Sequence, residues 1–379
     1  ADKARGEYVI KVTGTVGARP EGLTNAKLAT GEIEVTITSA EILTESKTPP
    51  FEIIEQCEAN EDIRLKYRYL DLRRRKVLEN IEFRSRMTTF TRNWFTQNGF
   101  LEVQTPIFTV SSPEGARDYL IPSRLHPGKF YALPQAPQQY KQLLMVGGVD
   151  KYFQIAPCFR DEDPRADRHS CEFYQIDVEM SFVEQEDVFA IAEGYVKDLI
   201  PSLSPHKLIK DNKVHRLTHA QAMDMYGSDK PDIRFGMEFV DLTKEFETSE
   251  FSVFRDAVAS GGSVKAIKLS GKIMSRSEID ELTEVAKSAG AKGLAYIIYD
   301  PAEGPRSPIL KFFKEEGEIK AINEKLAPQV GDMVFFSAGE HDRACKILGT
   351  VRNALRDKYN LADQNELAFT WITDFPMFE

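Results

Sequence analysis

Cysteine is scarce in this sequence, and the cysteines that are present are not grouped. The 379 residues include four of them, Cys57, Cys158, Cys171 and Cys345, with no Cys-x-x-Cys pair and no histidine at a spacing suited to zinc. The pattern excludes a zinc finger and a disulfide-stapled secreted domain. We therefore expect free thiols in a reducing compartment and predict no metal ligands within the chain.

Long apolar runs are missing as well. No stretch approaches the roughly 18 apolar residues of a membrane-spanning helix, and no signal-peptide pattern opens the chain. A composition with 42% hydrophobic and 28% charged residues is ordinary for a soluble globular protein. These features predict a cytoplasmic protein of two or three domains with no membrane partner.

Positive charge is in deficit, since 59 acidic residues outnumber 49 basic ones and give a formal net charge of −10. This balance excludes a protein that coats nucleic acid non-specifically, because phosphates repel an acidic surface. A nucleic-acid partner needs a local basic patch instead. One candidate is the stretch 64–76, RLKYRYLDLRRRK, with seven basic residues and one acidic residue. A solvated helix start or hinge is the alternative interpretation.

An initiator methionine is also absent. The chain begins Ala-Asp-Lys and stops at Glu379, directly after an apolar, strand-like run. We expect both ends to be cut, so that part of the protein lies outside this sequence.

The most informative pattern present is the stretch 151–180, KYFQIAPCFRDEDPRADRHSCEFYQIDVEM. Two alternating runs flank a polar segment, residues 161–171, which predicts a long antiparallel hairpin. An aromatic ring, an amide and two carboxylates share one face of the second run: Phe173, Gln175, Asp177 and Glu179. The opposite, apolar face is expected to pack inward and leave the polar face as a floor for a polar ligand.

Arg160 shares its strand face with Gln154 and Cys158, and pairing opposite Phe173 would put its guanidinium beside that ring. A cation beside an aromatic platform suits a nucleotide, because the base stacks while the guanidinium binds an α-phosphate. The alternative is an ordinary surface hairpin with a charged tip. The connection exceeds the usual two to five residues of a hairpin loop, which favours a functional loop.

The pattern FRDE…EF in this hairpin resembles motif 2 of class II aminoacyl-tRNA synthetases. RDEDPRADR with EFYQIDVEMSF is similar to the version in bacterial aspartyl-tRNA synthetases. The resemblance implies that Arg160 contacts both the aspartate carboxylate and the α-phosphate, and that ATP is bound by Arg160, Glu162, His169 and Phe173. The loop is one residue longer than the common form, and His169 stands where glutamine is expected.

The same resemblance assigns the rest of the hairpin. Gln175 and Asp177 are expected to complete the aspartate pocket. The loop arginines Arg165 and Arg168 are expected to meet the acceptor end of tRNA, whose phosphates carry negative charge.

Two segments before the hairpin match the family's amino-acid recognition stretches. The turn-like SSPEGARDY at 111–119 carries Glu114, and LPQAPQQYKQLLM at 133–145 enters a helix with Gln138 and Lys141 on one face. Taken alone, they are a surface turn and a solvated helix face. The resemblance implies that Glu114 binds the α-ammonium of aspartate. It also implies that Lys141 favours aspartate over asparagine, because the wrong complex leaves a charge unpaired.

A helical pattern over residues 77–98 stops at Gly99 and runs into FLEVQTPIF at 100–108, a strand with Pro106 inside it. Proline cannot donate to a strand ladder, so this strand is expected at an edge or an interface. The pair resembles motif 1, which implies a homodimer interface at Pro106.

The predicted fold class is α+β: an antiparallel-sheet catalytic domain, a partial OB-fold barrel at the N-terminus and an inserted α+β module. The barrel assignment follows from alternating runs at residues 7–16 and 31–43. The resemblance implies the following domains: residues 1–48, partial anticodon-binding OB-fold; 49–76, hinge; 77–235, catalytic domain with motifs 1 and 2; 236–348, bacterial insertion domain of the GAD type; and 349–379, the return to the catalytic domain.

The activity implied by the resemblance is ATP-dependent activation of L-aspartate and its transfer to the 3′ end of tRNA-Asp, with Mg²⁺. The aspartate carboxylate is already ionised, so the chemistry needs positioning and charge stabilisation, which Arg160 would supply. Motif 3 and most Mg²⁺ carboxylates are expected beyond Glu379, so this stretch alone is expected to be inactive.

Other functions remain open. They are a non-catalytic tRNA- or partner-binding paralogue and, among enzymes, charging of tRNA-Asn as well as tRNA-Asp. An asparaginyl-tRNA synthetase is disfavoured by Lys141 and the inserted module, and an ammonia-using asparagine synthetase by the barrel strands.

Overall fold

The computed structural model describes residues 4–26, 28–112, 114–164 and 169–378. The chain divides into two compact units, Ala1–Phe90 and Thr91–Glu379. Within the described ranges the α-helices are α1 (Glu61–Lys66), α2 (Arg68–Asp71), α3 (Arg75–Gln97), α4 (Gln138–Val146), α5 (Gln185–Leu203), α6 (His219–Tyr226), α7 (Ser252–Ala259), α8 (Arg276–Ser288), α9 (Lys320–Leu326) and α10 (His341–Tyr359).

The strands form several small sheets and one larger sheet. In chain order they are β1 (Val9–Ala18), β2 (Ile33–Thr44), β3 (Leu101–Glu102), β4 (Leu120–Pro122), β5 (Phe130–Ala132), β6 (Lys151–Phe159), β7 (Glu172–Met180), β8 (Leu208–Thr218), β9 (Val240–Asp241), β10 (Ser263–Leu269), β11 (Ala295–Asp300), β12 (Gly304–Arg306), β13 (Met333–Gly339) and β14 (Glu366–Thr373). No helix in the described ranges is long and apolar enough to cross a membrane.

In the N-terminal unit, β1 and β2 form an antiparallel pair, which confirms the two predicted strands to within two residues. The charged stretch that follows forms the short helices α1 and α2. Helix α1 begins where the Asn60 side chain accepts the backbone N–H of Asp62, an N-cap that satisfies an otherwise unpaired donor.

The basic stretch 64–76 is largely neutralised by neighbouring carboxylates. Asp71 is fully buried and pairs with Arg68 at 2.6 Å and Arg74 at 2.7 Å. Arg73 pairs with Glu7, and Arg75 with two glutamates of α3. These contacts favour the structural interpretation of the stretch over a free basic patch for nucleic acid.

The predicted hairpin is confirmed as β6 and β7, with β3 added in parallel at the edge of the same sheet. The predicted strand over 100–108 is shorter than expected, since only Leu101–Glu102 joins the ladder. Downstream, the backbone N–H and hydroxyl of Thr105 turn to the side chain of Gln154, and Pro106 has no N–H to continue the pairing.

The region from about residue 236 to 348 is built around an antiparallel sheet in the order β12-β11-β13-β10-β9. Both faces of this sheet are covered, so β10 and β13 are buried along almost their whole length. Helices α8 and α10 cover one face with Ile279, Leu282 and Leu348. Phe246, Phe254 and α9 cover the other.

Two helices and a strand in this part of the chain have clear local causes. Helix α8 begins at Ser275, where the Ser275 hydroxyl and the Glu278 carboxylate form a reciprocal capping box. Helix α9 begins only at Lys320, since non-helical backbone at Gly317 interrupts the helical turns before it. The strand-like run near the end of the chain is present as β14, which lies parallel to β8.

Helix α10 is fixed to the segment before β9 by a buried arginine. Arg352 is 1% exposed and donates to the carbonyl oxygens of Asp232, at 2.7 Å, and of Gly236 and Met237. Its guanidinium also lies over the ring of Phe235, 3.9 Å from the centroid. Burial lowers the pKa of Arg352 to about 10, which still leaves it charged at neutral pH.

Helix α6 approaches α10 so closely that its C-cap must be glycine. Gly227 has a left-handed φ of 68°, and a Cβ there would lie 2.0 Å from the carbonyl oxygen of Cys345. Gly271 has a similar φ of 64° but open space around it. An added Cβ at Gly227 would therefore cause both steric overlap and backbone strain, whereas an added Cβ at Gly271 would cause backbone strain alone.

We expect Gly227→Ala to lower the free energy of unfolding by about 3 kcal/mol or more, because overlap adds to strain. Gly271→Ala, the matched control, should cost only about 1 kcal/mol for the left-handed backbone. Urea unfolding of both variants measures the difference. Equal losses would contradict the close approach of α6 to α10.

Candidate active site

The hairpin pairs in a register that differs by two residues from the simplest expectation. Phe173 lies opposite Cys158, and the backbone N–H of Arg160 donates to the carbonyl of Cys171 at 2.9 Å. Arg160 therefore does not pair opposite Phe173, the pairing under which the sequence analysis placed its guanidinium beside the ring. The two side chains still meet, with the guanidinium carbon of Arg160 5.2 Å from the ring centroid of Phe173, because diagonal neighbours on one strand face lie within reach of long side chains.

The polar face of the hairpin is buried over much of its length, and the apolar face is partly exposed, which differs from the prediction. On the polar face, Tyr152 and Cys158 are fully buried and Gln154 is 4% exposed. On the apolar face, Phe153 packs against Phe95 of α3, but Tyr174 and Ile176 are exposed. The expectation that the apolar face packs inward thus holds only at the Phe153 end. Polar groups bury readily when each finds a partner, and here α4 packs across the polar face.

The strongest of these partnerships is made by Lys141 of α4. Its ammonium lies 2.8 Å from Oδ1 of Asp177 and 3.4 Å from a carboxylate oxygen of Glu179. Lys141 is 8% exposed and Asp177 is 7% exposed. The alternative of a solvated lysine on a helix face is therefore excluded, and α4 is joined to β7 by a buried ion pair.

Two polar atoms on this face are buried without a hydrogen-bond partner among the described residues. They are Nε of Arg160, a donor, and Oδ2 of Asp177, an acceptor. Unpaired buried polar atoms are rare and costly in folded proteins. A donor and an acceptor left open on one strand face are suited to a ligand that carries both an anionic and a hydrogen-bonding group.

A second layer of hydrogen bonds holds the floor of the site in place. The Gln154 side-chain oxygen accepts from the Tyr152 hydroxyl at 2.8 Å and from the Thr105 hydroxyl at 3.0 Å. Gln154 lies directly opposite Asp177 in the ladder. Burial, with the charge of Asp177 nearby, raises the pKa of Tyr152 far above its ordinary range, so its hydroxyl remains a donor.

The turn that carries Glu114 is attached to the same region by side chains that the sequence patterns did not reveal. Gln135 is 1% exposed and bonds both backbone groups of Ala116. Arg117 and Asp161 exchange two hydrogen bonds, each 2.9 Å long, so the turn is joined to the end of the hairpin. Gln135 directly follows Pro134 in the largely apolar stretch 132–137, ALPQAP. A polar residue in that apolar stretch was the available sequence signal for its burial.

The charges of the site act together on one buried thiol. Burial, together with the negative charges of Asp177 and Glu114, raises the pKa of Cys158 to about 11, and the Arg160 charge opposes this rise. Glu114, Arg160 and Asp177 are therefore all close enough to Cys158 for their charges to act on its thiol. The Cys158 thiol stays protonated at neutral pH, so it serves as part of the floor and not as a nucleophile.

The ring of Phe173 is not bare. His169 stacks on it with the ring centroids 4.5 Å apart and the planes 27° from parallel. The predicted stacking platform therefore exists, but it carries an imidazole as well as the neighbouring guanidinium of Arg160.

The other predicted residues vary in how closely they join this cluster. Gln175 accepts from the Cys158 thiol at 3.3 Å, and Gln138 begins α4 and is partly buried. Glu162 is partly buried at the end of β6, and Pro106 is exposed. Arg165 and Arg168 lie outside the described residues.

We expect Lys141→Met to lower the free energy of unfolding by about 3–5 kcal/mol, because it leaves buried carboxylates without a counter-charge. Adding Asp177→Asn should recover part of the loss, since it removes one of those charges. Lys213→Met, at an exposed lysine of β8, is the control and should change stability by less than about 0.5 kcal/mol. Denaturant unfolding measures all three; a Lys141→Met protein as stable as the control would refute the buried pair.

Comparisons with known proteins identify the family to which the chain belongs. A family model for tRNA synthetases class II (D, K and N) matches residues 60–379. The Aspartate--tRNA(Asp/Asn) ligase of Chlorobium phaeobacteroides is 50% identical over 380 residues, which cover 100% of this chain and 62% of the relative. The protein of the same name from Aquifex aeolicus is 48% identical over 379 residues, again 100% and 62% of the two chains. This chain thus spans about three fifths of the length of these relatives.

Among solved structures, asparaginyl-tRNA synthetase from Pyrococcus horikoshii complexed with asparaginyl-adenylate aligns with a TM-score of 0.50 and 16% identity. The alignment covers 93% of this chain and 81% of that one. At this identity the likeness shows the fold alone, a mixture of α-helices and antiparallel sheets. On the match of the family model, the chain belongs to the class II tRNA synthetases of the D, K and N group.

Proposed function

We propose that this chain belongs to an aspartate–tRNA ligase, and that the β6–β7 hairpin with α4 is its site for aspartyl-adenylate formation. The observation that carries the proposal is the polar face of the hairpin, where Arg160 adjoins Phe173 and a buried Lys141–Asp177 pair lies along the same strand face. The printed names of the relatives support aspartate as the amino acid.

The first step joins aspartate to ATP. An oxygen of the α-carboxylate attacks the α-phosphorus, a bond to that phosphorus forms, and the bond to the bridging oxygen breaks, so that pyrophosphate leaves with its electron pair. No proton must be removed, because the attacking carboxylate is already ionised. The buried, unpaired Nε of Arg160 is suited to hold the carboxylate and the α-phosphate together and to stabilise charge as it develops between them.

ATP is proposed to bind beside Phe173, with Glu162 and His169 as further contacts. A purine that stacks on Phe173 must share the ring with His169 or displace it, because the imidazole already lies 4.5 Å from the ring centroid. Displacement exchanges one stacking partner for another, so it costs little.

Aspartate is proposed to bind between α4 and the turn at Glu114. The fixed carboxylate of Glu114 is assigned to the α-ammonium, and the Lys141 ammonium to the side-chain carboxylate. Gln138, Gln175 and Asp177 complete the pocket. Lys141 already balances Asp177 and Glu179, so these acids fix the position of the ammonium that selects a charged substrate over a neutral amide.

In the second step, a hydroxyl of the terminal ribose of tRNA attacks the aspartyl carbonyl, and AMP leaves. We assign Arg165 and Arg168 to the acceptor end of that tRNA. Both tRNA-Asp and tRNA-Asn are proposed as substrates, because the relatives are named for both.

Mg²⁺ is proposed to arrive with the phosphates of ATP, as it does where proteins bind nucleoside triphosphates. We assign no magnesium ligand among the carboxylates of the hairpin face, where Asp177 and Glu179 hold the Lys141 ammonium in place.

The remaining assignments follow the same proposal. Residues 1–48 are part of an anticodon-binding OB-fold, 49–76 a hinge, 77–235 and 349–379 the catalytic domain, and 236–348 an inserted GAD-type module. A homodimer interface is proposed at Pro106, which is exposed, and the proposed location is the cytoplasm.

Arg160→Ala in the full-length gene product is expected to reduce aspartate-dependent ATP–pyrophosphate exchange by about a hundredfold or more, the effect of losing one preorganised charge partner. Arg124→Ala, at an exposed arginine, is the matched control and should exchange normally. A panel of amino acids in the same assay identifies the substrate. Normal exchange by Arg160→Ala would refute its role, and no exchange by the unmodified protein with any amino acid would favour a non-catalytic tRNA- or partner-binding paralogue.

Lys141→Arg tests the specificity of the pocket separately. The change keeps the charge that Asp177 and Glu179 require but moves it, so folding should be retained while the KM for aspartate rises about tenfold or more and the KM for ATP stays nearly constant. Equal increases in both KM values would count against Lys141 as the contact for the substrate carboxylate.

A further inference from the structure

A second cluster of chemically active side chains lies where α6, α10 and β10 meet. Asp224 comes from α6, and His341 and Cys345 come from successive turns of α10. One ligand-type atom from each residue lies within 4.8 Å of the other two. Nε2 of His341 is 3.6 Å from the Asp224 carboxylate and 3.9 Å from the Cys345 sulfur.

We propose that Asp224, His341 and Cys345 form a binding site for a divalent transition-metal ion of the zinc class. In a tetrahedral zinc site, neighbouring sulfur, nitrogen and oxygen ligands lie about 3.5 Å apart. The two separations that involve His341, 3.6 and 3.9 Å, exceed that value by a few tenths of an ångström, and the third lies within 4.8 Å, so side-chain rotations are needed to close the site. The sequence analysis considered only ligands that are close together in the chain, whereas Asp224 lies more than 100 residues before His341 and Cys345.

The orientation of His341 supports a metal ligand over a catalytic base. Its Nδ1 is 3.2 Å from the hydroxyl of Ser263, which fixes the ring as a second partner does for most metal-bound histidines. In a nucleophilic triad, one imidazole nitrogen faces the nucleophile and the other faces the carboxylate. Here Nε2 faces both the thiol and the carboxylate, as three ligands around one ion require.

The charges around the cluster also favour a divalent cation. Lys265 is 1% exposed, and its ammonium pairs with Asp224 and, at 2.9 Å, with Asp241. Two carboxylates and one ammonium leave one negative charge in excess, and loss of the thiol proton adds a second. A divalent ion cancels both. A carboxylate has lone pairs enough to keep Lys265 and bind the ion as well.

The cluster is open to solvent at Asp224 and His341 and closed at Cys345, as a metal site that keeps one open position requires. The side chains of Asp224 and His341 are 49% and 43% exposed, whereas Cys345 is fully buried beneath them. An ion enters from solvent, meets the carboxylate and the imidazole, and binds the sulfur last, with water in the fourth position. The Cys345 proton passes to solvent as the thiolate binds.

Titration of the full chain with Co²⁺, in a reductant free of thiols, tests the proposal. Cobalt occupies tetrahedral zinc sites, and a thiolate ligand gives a sulfur-to-cobalt charge-transfer absorption. We expect that band to saturate at one equivalent and to disappear when Zn²⁺ is added. Cys345→Ser should abolish it, whereas Cys57→Ser, the matched cysteine control, should retain it.

Cys345 is fully buried, so Cys345→Ser can impair folding, and two further variants test the site without changing that residue. His341→Ala removes a half-exposed ligand without opening the core and should weaken Co²⁺ binding about a hundredfold, while Ser263→Ala, which removes only the orienting hydroxyl, should weaken it about tenfold. The absence of a charge-transfer band in the unmodified protein would overturn the site and leave His341 and Asp224 as a simple ion pair. A band that survives in Cys345→Ser, or unchanged affinity in His341→Ala, would overturn it equally.

Discussion

The candidate site depends on one buried ammonium. Lys141 crosses from α4 to β7 and neutralises Asp177 and Glu179. Carboxylates placed side by side would otherwise repel each other. With the ammonium in place, the polar face of the hairpin can be buried, α4 can pack across it, and the second layer from Tyr152 and Gln154 can form. A buried ion pair of this kind contributes less to net stability than to fixing one arrangement. Here the fixed arrangement leaves Nε of Arg160 and Oδ2 of Asp177 available to a ligand.

Local sequence patterns were sufficient for several of the elements. Alternation predicted β1, β2, β6 and β7. The same alternation favoured Arg160 and Phe173 as neighbours on one face of the hairpin, and their side chains do meet. These predictions succeed because a strand's periodicity is set by residues close in the chain.

The structural features that were not predicted from the sequence depend on contacts between residues far apart in the chain. The inward face of the hairpin was assigned from hydrophobicity, but Tyr174 and Ile176 on that face are exposed, whereas Asp177 on the opposite face is buried against Lys141. The register of Arg160 against Phe173 depends on how many residues the loop holds out of the ladder. The strand at 100–108 was overestimated because Thr105 bonds a side chain 49 residues later. Likewise, Asp224, His341 and Cys345 form a cluster only because α6 and α10 pack tightly at Gly227.

The attachment of α10 through Arg352 has an evolutionary consequence. Its guanidinium bonds the carbonyl oxygens of residues 232, 236 and 237, and every amino acid carries a carbonyl oxygen. Most substitutions in that segment would therefore leave these bonds intact, provided that the backbone path is kept. Replacement of the arginine itself would lose all of them at once. Substitutions should accordingly be tolerated over residues 232–237, which supply only backbone carbonyl oxygens to these bonds, and rejected at Arg352, which supplies the side chain.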